Sequence, residues 1–121
     1  MSNDRKVNGI QQETGAPVVS AVTMGELIAV TSGDGNLRVF QPDRDPLVFN
    51  IHEGVILSMA TESQYLLTGG EDGRFLRVAL RGEVEEIARF GSKWVDCVAS
   101  DGGYFACSSG RVAYVWSPDR S

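Results

Sequence analysis

Residues 65–79 read YLLTGGEDGRFLRVA. Two short apolar runs, Tyr65 to Thr68 and Phe75 to Ala79, flank the polar cluster Glu71-Asp72-Gly73. Short runs on either side of an Asp-Gly turn predict a β-hairpin, because Asp-Gly supplies the positive φ that tight hairpin turns require. Working outward, the same phrase occurs on both sides. Upstream, Val18 to Val22, Leu27 to Thr31 and Leu37 to Gln41 are short runs rich in Val, Ile and Thr. They are separated by Met24-Gly25-Glu26 and Gly33-Asp34-Gly35-Asn36 and followed by Pro42-Asp43-Arg44-Asp45-Pro46. Val55 to Ala60 precedes the central hairpin. Downstream lie Trp94 to Ala99, Tyr104 to Ser108 and Val112 to Trp116. Helix signals are weak. Glu83 to Phe90, with Val84, Ile87, Ala88 and Phe90, is the best helical candidate but is short and lacks a good N-cap, and it reads equally as a strand over Val84 to Phe90.

The runs fall into register with one another. Asp34-Gly35 and Asp72-Gly73 are 38 residues apart, and so are Phe40, Val78 and Trp116, each closing the third strand of its set. A fixed period near 40 residues built of short strands predicts an array of propeller blades. One strand is expected within residues 5–12, then sets of four, four and three. The organisation read from the sequence is an N-terminal strand segment over 1–13, able to act as a closing strand, followed by repeats over 14–50, 51–90 and 91–121.

Composition narrows the classes of function. The 121 residues carry 11 Lys and Arg against 16 Asp and Glu, a net charge of −5, which disfavours general binding to phosphate backbones. One histidine and two cysteines leave few groups for a catalytic or metal centre. The longest apolar-rich stretch, Gly54 to Ala60, is far too short to span a bilayer. The N-terminus, MSNDRKVNGIQQ, has no apolar signal-peptide core, so a cytoplasmic protein is expected. No nucleic-acid, membrane, metal or cofactor partner is expected.

Three segments carry a family resemblance. Asn50-Ile51-His52-Glu53-Gly54-Val55 resembles the histidine-containing loop that opens a WD40 repeat. Thr68-Gly69-Gly70-Glu71-Asp72-Gly73 resembles the family's Ser/Thr-x-x-x-Asp-Gly turn, and Tyr114-Val115-Trp116-Ser117-Pro118-Asp119 resembles the Trp-Asp end with two residues inserted. The stretches LLTGGEDGRFLRV and KWVDCVASDGG are similar in style to bacterial, short-repeat members. The resemblance covers about residues 14–121. It implies an all-β fold of antiparallel four-stranded blades, about three of them, open or part of a larger ring. It also implies a hydrogen-bonded chain of His, Ser or Thr, Asp and Trp within a blade. On the second repeat this chain carries over to His52, Thr68 and Asp72, with Val78 at the Trp position. The first repeat offers Thr31, Asp34 and Phe40 and no histidine. The third offers Ser108 and Trp116, with Gly110 at the Asp position and Gly91 in the histidine region.

Each candidate has a structural and a functional reading. His52 is a metal ligand or base, or a buried histidine holding its loop to Thr68 and Asp72; a metal site needs three or four convergent ligands and no second histidine exists. The Asp-Gly loops lack the P-loop lysine and the EF-hand ligand ladder, so they read as turns. Cys97 and Cys107 come directly opposite if the intervening turn centres on Gly102, as a redox pair or as two reduced, half-buried side chains. Glu53, Glu71, Lys93, Trp94 and Asp96 fall where the family's partner-binding face begins. Trp94 beside charged groups is a candidate hot spot, or else it caps the core. The expected function is a non-catalytic scaffold for protein–protein interaction. The alternative is a propeller enzyme of the lactonase type or a small-ligand or carbohydrate site, for which the channel candidates Leu57 and Asp96 offer one carboxylate. Three blades do not close a ring, so the chain is expected to be part of a longer propeller or to associate with a second copy by exchanging the N-terminal strand.

Overall fold

The computed structural model describes residues 13–117. The segment expected over residues 5–12 lies outside the described residues, and so does the Pro118-Asp119 end of the last motif. Eleven strands form three antiparallel sheets, each connected in simple sequence order. Blade I comprises β1 (Val18–Met24), β2 (Leu27–Ser32), β3 (Asn36–Phe40) and β4 (Leu47–Asn50). Blade II comprises β5 (Ile56–Glu62), β6 (Tyr65–Gly70), β7 (Arg74–Ala79) and β8 (Val84–Arg89). Blade III has three strands, β9 (Val95–Asp101), β10 (Tyr104–Ser109) and β11 (Val112–Trp116). The ambiguous segment 84–90 is a strand: β8 pairs with β7, and a register shift opposite Phe75/Leu76 accommodates the spacing that looked helical.

The sheets stack side by side, and among the described residues they do not close into a ring. β5 lies against both β1 and β9, so the first strand of each blade is innermost. Because side chains alternate across a strand, each blade has a leading face toward its predecessor and a trailing face toward its successor. Ala29, Leu37 and Val39 on the trailing face of blade I pack on Ile56, Leu66, Leu76 and Val78 of blade II. Leu67 and Phe75 on the trailing face of blade II pack on Val95, Phe105 and Cys107 of blade III. This second interface is aromatic: Phe105 and Trp116 stack with centroids 5.6 Å apart, and Phe75 lies 5.4 Å from Trp116. At its edge Arg77 reaches Glu62 at 3.2 Å and sits 4.0 Å over the Tyr65 ring.

Each innermost strand carries one extra residue. The register shifts between Val18 and Ser20, between Ile56 and Ser58, and between Val95 and Cys97, so Val19, Leu57 and Asp96 sit in β-bulges. The turn between β9 and β10 settles the cysteine geometry. Cys107 pairs with Val98, and Cys97 pairs with Ser108. The two thiols are therefore one position out of register rather than opposite, because the turn has two central residues, Gly102 and Gly103, and no single pivot. Cys107 is buried in the inter-blade core and Cys97 is exposed on the other face. Burial pushes the Cys107 thiol up to about 11, so it stays protonated.

Candidate functional site

One end of the array gathers the turns that follow each second strand, the loops that link successive blades, and the bulges. His52, Thr68 and Asp72, and the expected partner-binding residues Glu53, Glu71, Lys93, Trp94 and Asp96, lie at or next to this end, whereas Phe40, Val78 and Trp116 close their strands at the other. The linking loops are tied down by backbone hydrogen bonds. The carbonyl of Gly35 accepts from Ile51 N and His52 N at 3.0 and 3.3 Å, and that of Gly73 accepts from Phe90 N at 2.8 Å. Both glycines have positive φ, 85° and 77°. A Cβ at either would run into the backbone of the incoming loop, at His52 O and Gly91 O respectively. Glycine is required there on both counts.

The blade II loop brings His52 beneath the turn. His52 Nδ1 lies 2.9 Å from Asp72 Oδ1 and Nε2 lies 2.8 Å from Thr68 Oγ1. Burial lowers the His52 pKa, outweighing the carboxylate beside it, so the ring is neutral. An ionised carboxylate only accepts, so Nδ1–H donates to Asp72 and Nε2 accepts from the Thr68 hydroxyl. Asp72 also accepts from Glu53 N and Arg74 N, at 3.0 and 3.2 Å. Partial burial pushes its carboxyl up. The bonds from His52, Glu53 and Arg74 outweigh that and hold it below the ordinary carboxylate value. Gly70 makes room for the ring, since a Cβ there would stand 2.5 Å from His52 Nδ1.

The other two blades close the same corner differently. By pairing register, Val30 of blade I and Cys107 of blade III occupy the place of Thr68; Thr31 and Ser108 match Gly69 instead. The sequence alignment was one position off at these two residues, which it matched to Thr68 by residue type. Thr31 bonds Ser20 at 2.8 Å across the sheet. In blade I, Ser32 bonds Asp34 at 2.7 Å and receives Arg38 Nη1 at 3.3 Å, while Arg38 Nη2 donates to Thr14 O at 3.2 Å. The bond from Ser32 lowers the Asp34 pKa. In blade III the turn between β10 and β11 is only Gly110-Arg111, one residue shorter than 71–73. It has no position for the aspartate, which corrects the alignment of Gly110 with that place. Ser109 stands where Gly70 stands in blade II, and Gly91 stands where His52 does, so a larger strand residue is matched by a smaller loop residue. Sequence reasoning missed Ser32 and Arg38; the only signal was a basic residue, Arg38, inside an apolar run.

Of the expected partner-binding residues, Trp94 is 52% exposed beside the exposed Lys93, and Asp96 projects from its bulge into solvent. The Lys93 stem lies alongside Gly110. Glu53 is exposed. Glu71 is half-buried and accepts from Val55 N at 3.2 Å, so one of its oxygens serves the loop. A missed neighbour is Glu86, which bridges Arg74 at 2.7 Å and Arg89 at 2.8 Å; hydrogen bonds from Arg89 and Arg74 bring its carboxyl down to about 2. Among the described residues no three His, Cys, Asp or Glu gather as metal ligands. No helix among them is long and apolar enough to cross a membrane.

Antiparallel sheets in simple order, bulged innermost strands and loops staked beneath the turns define the fold as blades of a WD40-type β-propeller. Among solved structures, the chain is similar to the WD40 β-propeller domain of Doa1, with TM-score 0.70 and 22% identity over 88% of this chain and 39% of that one. It is also similar to two computationally designed proteins, at 15% identity. For Ika4 the TM-score is 0.72 over 83% of this chain and 65% of that one; for Ika8 it is 0.74 over 84% and 33%. The chain thus spans less than two thirds of each of these three structures. No protein-family model and no curated protein matches the sequence.

Proposed function

We propose that the chain is a non-catalytic scaffold that binds a protein partner through the end bearing Glu53, Glu71, Lys93, Trp94 and Asp96. The observation that carries this reading is Trp94, a large aromatic half out in solvent on a loop whose backbone is fixed, with charges of both signs around it. Rigid aromatic anchors among polar neighbours are the usual source of binding energy at interfaces. A non-catalytic role is supported by the fate of the Asp72–His52–Thr68 chain. Its order mimics a hydrolase relay, but Thr68 is 0% and His52 1% exposed, so the hydroxyl is closed to any substrate.

The test is position-specific photo-crosslinking in cells. A benzoylphenylalanine in place of Lys93 is expected to give a discrete protein adduct, and the same group in place of Arg81, at the other end of the sheets, is not. Adding Trp94→Ala should reduce the adduct about tenfold or more, as loss of a hot spot does. Equal adducts at both ends, or an adduct indifferent to Trp94→Ala, refutes the assignment.

A further inference from the structure

The corner between turn and linking loop is built three times, and in blade III its turn holds no carboxylate. Ser32, Gly70 and Ser109 share one register place, each paired with the first residue of its innermost strand, Val18, Ile56 and Val95. In blade I the buried Ser32 hydroxyl donates to Asp34 at 2.7 Å. In blade II the turn gives the loop two carboxylates: Asp72 accepts from His52 Nδ1 and Glu53 N, and Glu71 accepts from Val55 N. The blade III turn, Gly110-Arg111, gives none. Ser109 is 3% exposed, and its hydroxyl has no hydrogen-bond partner among the described residues. Ser92 N and Trp94 N stand in the loop where Glu53 N and Val55 N stand, with no carboxylate in that turn to donate to. Burying a hydroxyl unpaired is costly, and an acceptor arriving from outside recovers that cost on binding.

The charge at this corner is reversed as well. Arg111 stands in the turn where the other blades carry acids, and Lys93 stands in the loop where Gly54 does. Lys93 Cδ and Nζ lie 3.7 and 4.0 Å from where a Cβ on Gly110 would be, which puts the ammonium at the corner. Arg74, Arg77, Arg81 and Arg89 of blade II each pair with a glutamate. Among the described residues Lys93 and Arg111 pair with none: Glu53, Glu71, Asp72, Glu86 and Asp96, the acids at this end, all lie beyond ion-pair reach of both. Trp94, 52% exposed, stands next to Lys93.

We propose that the blade III corner receives a carboxylate from the partner: an Asp or Glu side chain that enters beside Trp94, accepts from the Ser109 hydroxyl and pairs with Lys93 as the lysine stem turns aside from Gly110. The partner's acid takes the part that Asp34 plays within blade I. The inference rests on the scaffold reading above and adds the chemistry of what that end recognises.

The test needs no natural partner. The 121-residue chain is titrated at low salt with acetyl-Ala-Asp-Ala-amide, with the same peptide carrying Asn for Asp, and with acetate, and its amide NMR spectrum is followed. The Asp peptide should shift the Ser92, Trp94 and Gly110 amides saturably and bind about fivefold or more tighter than the Asn peptide, because a charged acceptor makes the stronger bond. Ser109→Ala removes an unpaired hydroxyl, so the free variant should be no less stable than the wild type, yet it should bind the Asp peptide about fivefold or more weakly. No shift at these amides, equal binding of the Asp and Asn peptides, or a Ser109→Ala variant that binds the Asp peptide as the wild type does overturns the proposal. Acetate binding as tightly as the Asp peptide assigns the corner to a free small carboxylate and overturns the partner's side chain as its source. A protein adduct in the crosslinking test with no response to the Asp peptide overturns this inference and leaves the scaffold reading standing; a response without an adduct does the reverse.

Discussion

His52 holds three things at once: its own loop, the turn through Asp72 and the strand through Thr68. Removing its ring leaves the buried Thr68 hydroxyl without this partner and takes one hydrogen bond from Asp72, which keeps those from Glu53 N and Arg74 N. His52→Ala is expected to lower stability by about 1–3 kcal/mol in urea unfolding, with no change in bound metal. The pH dependence follows from the lowered His52 pKa. As pH falls below the ordinary value of 6.5, the unfolded chain takes up a proton that the folded chain refuses. Stability is therefore complete above that value and declines below it, by at most about 1.4 kcal/mol per pH unit. The lowered Asp72 pKa adds a further decline below its ordinary value of 3.8. Unfolding midpoints at pH 7.5 and 5.5 should separate in the wild type and converge in His52→Ala; equal separation in both would refute the assignment of the slope to His52. The trio itself was legible in the sequence, since all its members belong to motifs of fixed spacing. The Arg38–Ser32–Asp34 closure of blade I was not, because nothing in a linear pattern shows that a guanidinium folds back onto a preceding turn.

Strands were legible for a simple reason: short β-branched runs between Gly and Asp turns admit little else. Register was not. One unpaired residue in each innermost strand, and one missing residue in the Gly110-Arg111 turn, shift partners by a single place. A single place moves a side chain to the opposite face. Thr31 and Ser108 match Thr68 by residue type but stand one place off in this way, and Cys97 and Cys107 look opposite only for a turn centred on one residue, where there are two, Gly102 and Gly103. The observed register predicts unequal thiols. With the chain folded, Cys97 should react with a maleimide at a rate near that of a free thiol. Cys107, buried and with its pKa raised to about 11, should react only after denaturant is added. Mass spectrometry of the labelled peptides reads this directly. Rapid labelling of both, or a disulfide linking them under mild oxidation, would contradict the pairing.

Across the whole molecule, protection is graded by neighbours. Among the described residues, blade II is covered on both faces, blade I on one, and blade III, with three strands, on one. Hydrogen exchange at submicromolar concentration should be slowest in β6 and β7, faster in β2 and β3, and fastest in β11. Exchange in β11 as slow as in β6 would mean that its face is covered even when dilute. The sequence disclosed the number of sheets through its period. It did not disclose which blade carries the stability, because that depends on stacking order and not on any one repeat.

The bonds from Ile51 and His52 to Gly35, and from Phe90 to Gly73, also have a mechanical meaning. A pull along the chain reaches each linking loop before it reaches a sheet, and the loop is pinned to a turn in the middle of the blade behind it. Force therefore enters that blade across its width and does not strip its last strand first. Blade III, with β11 on its edge, offers the shortest lever and should give way at the lowest load. Stretched in an optical trap, the chain should lengthen in separate steps, with the release of blade III first and blade II last.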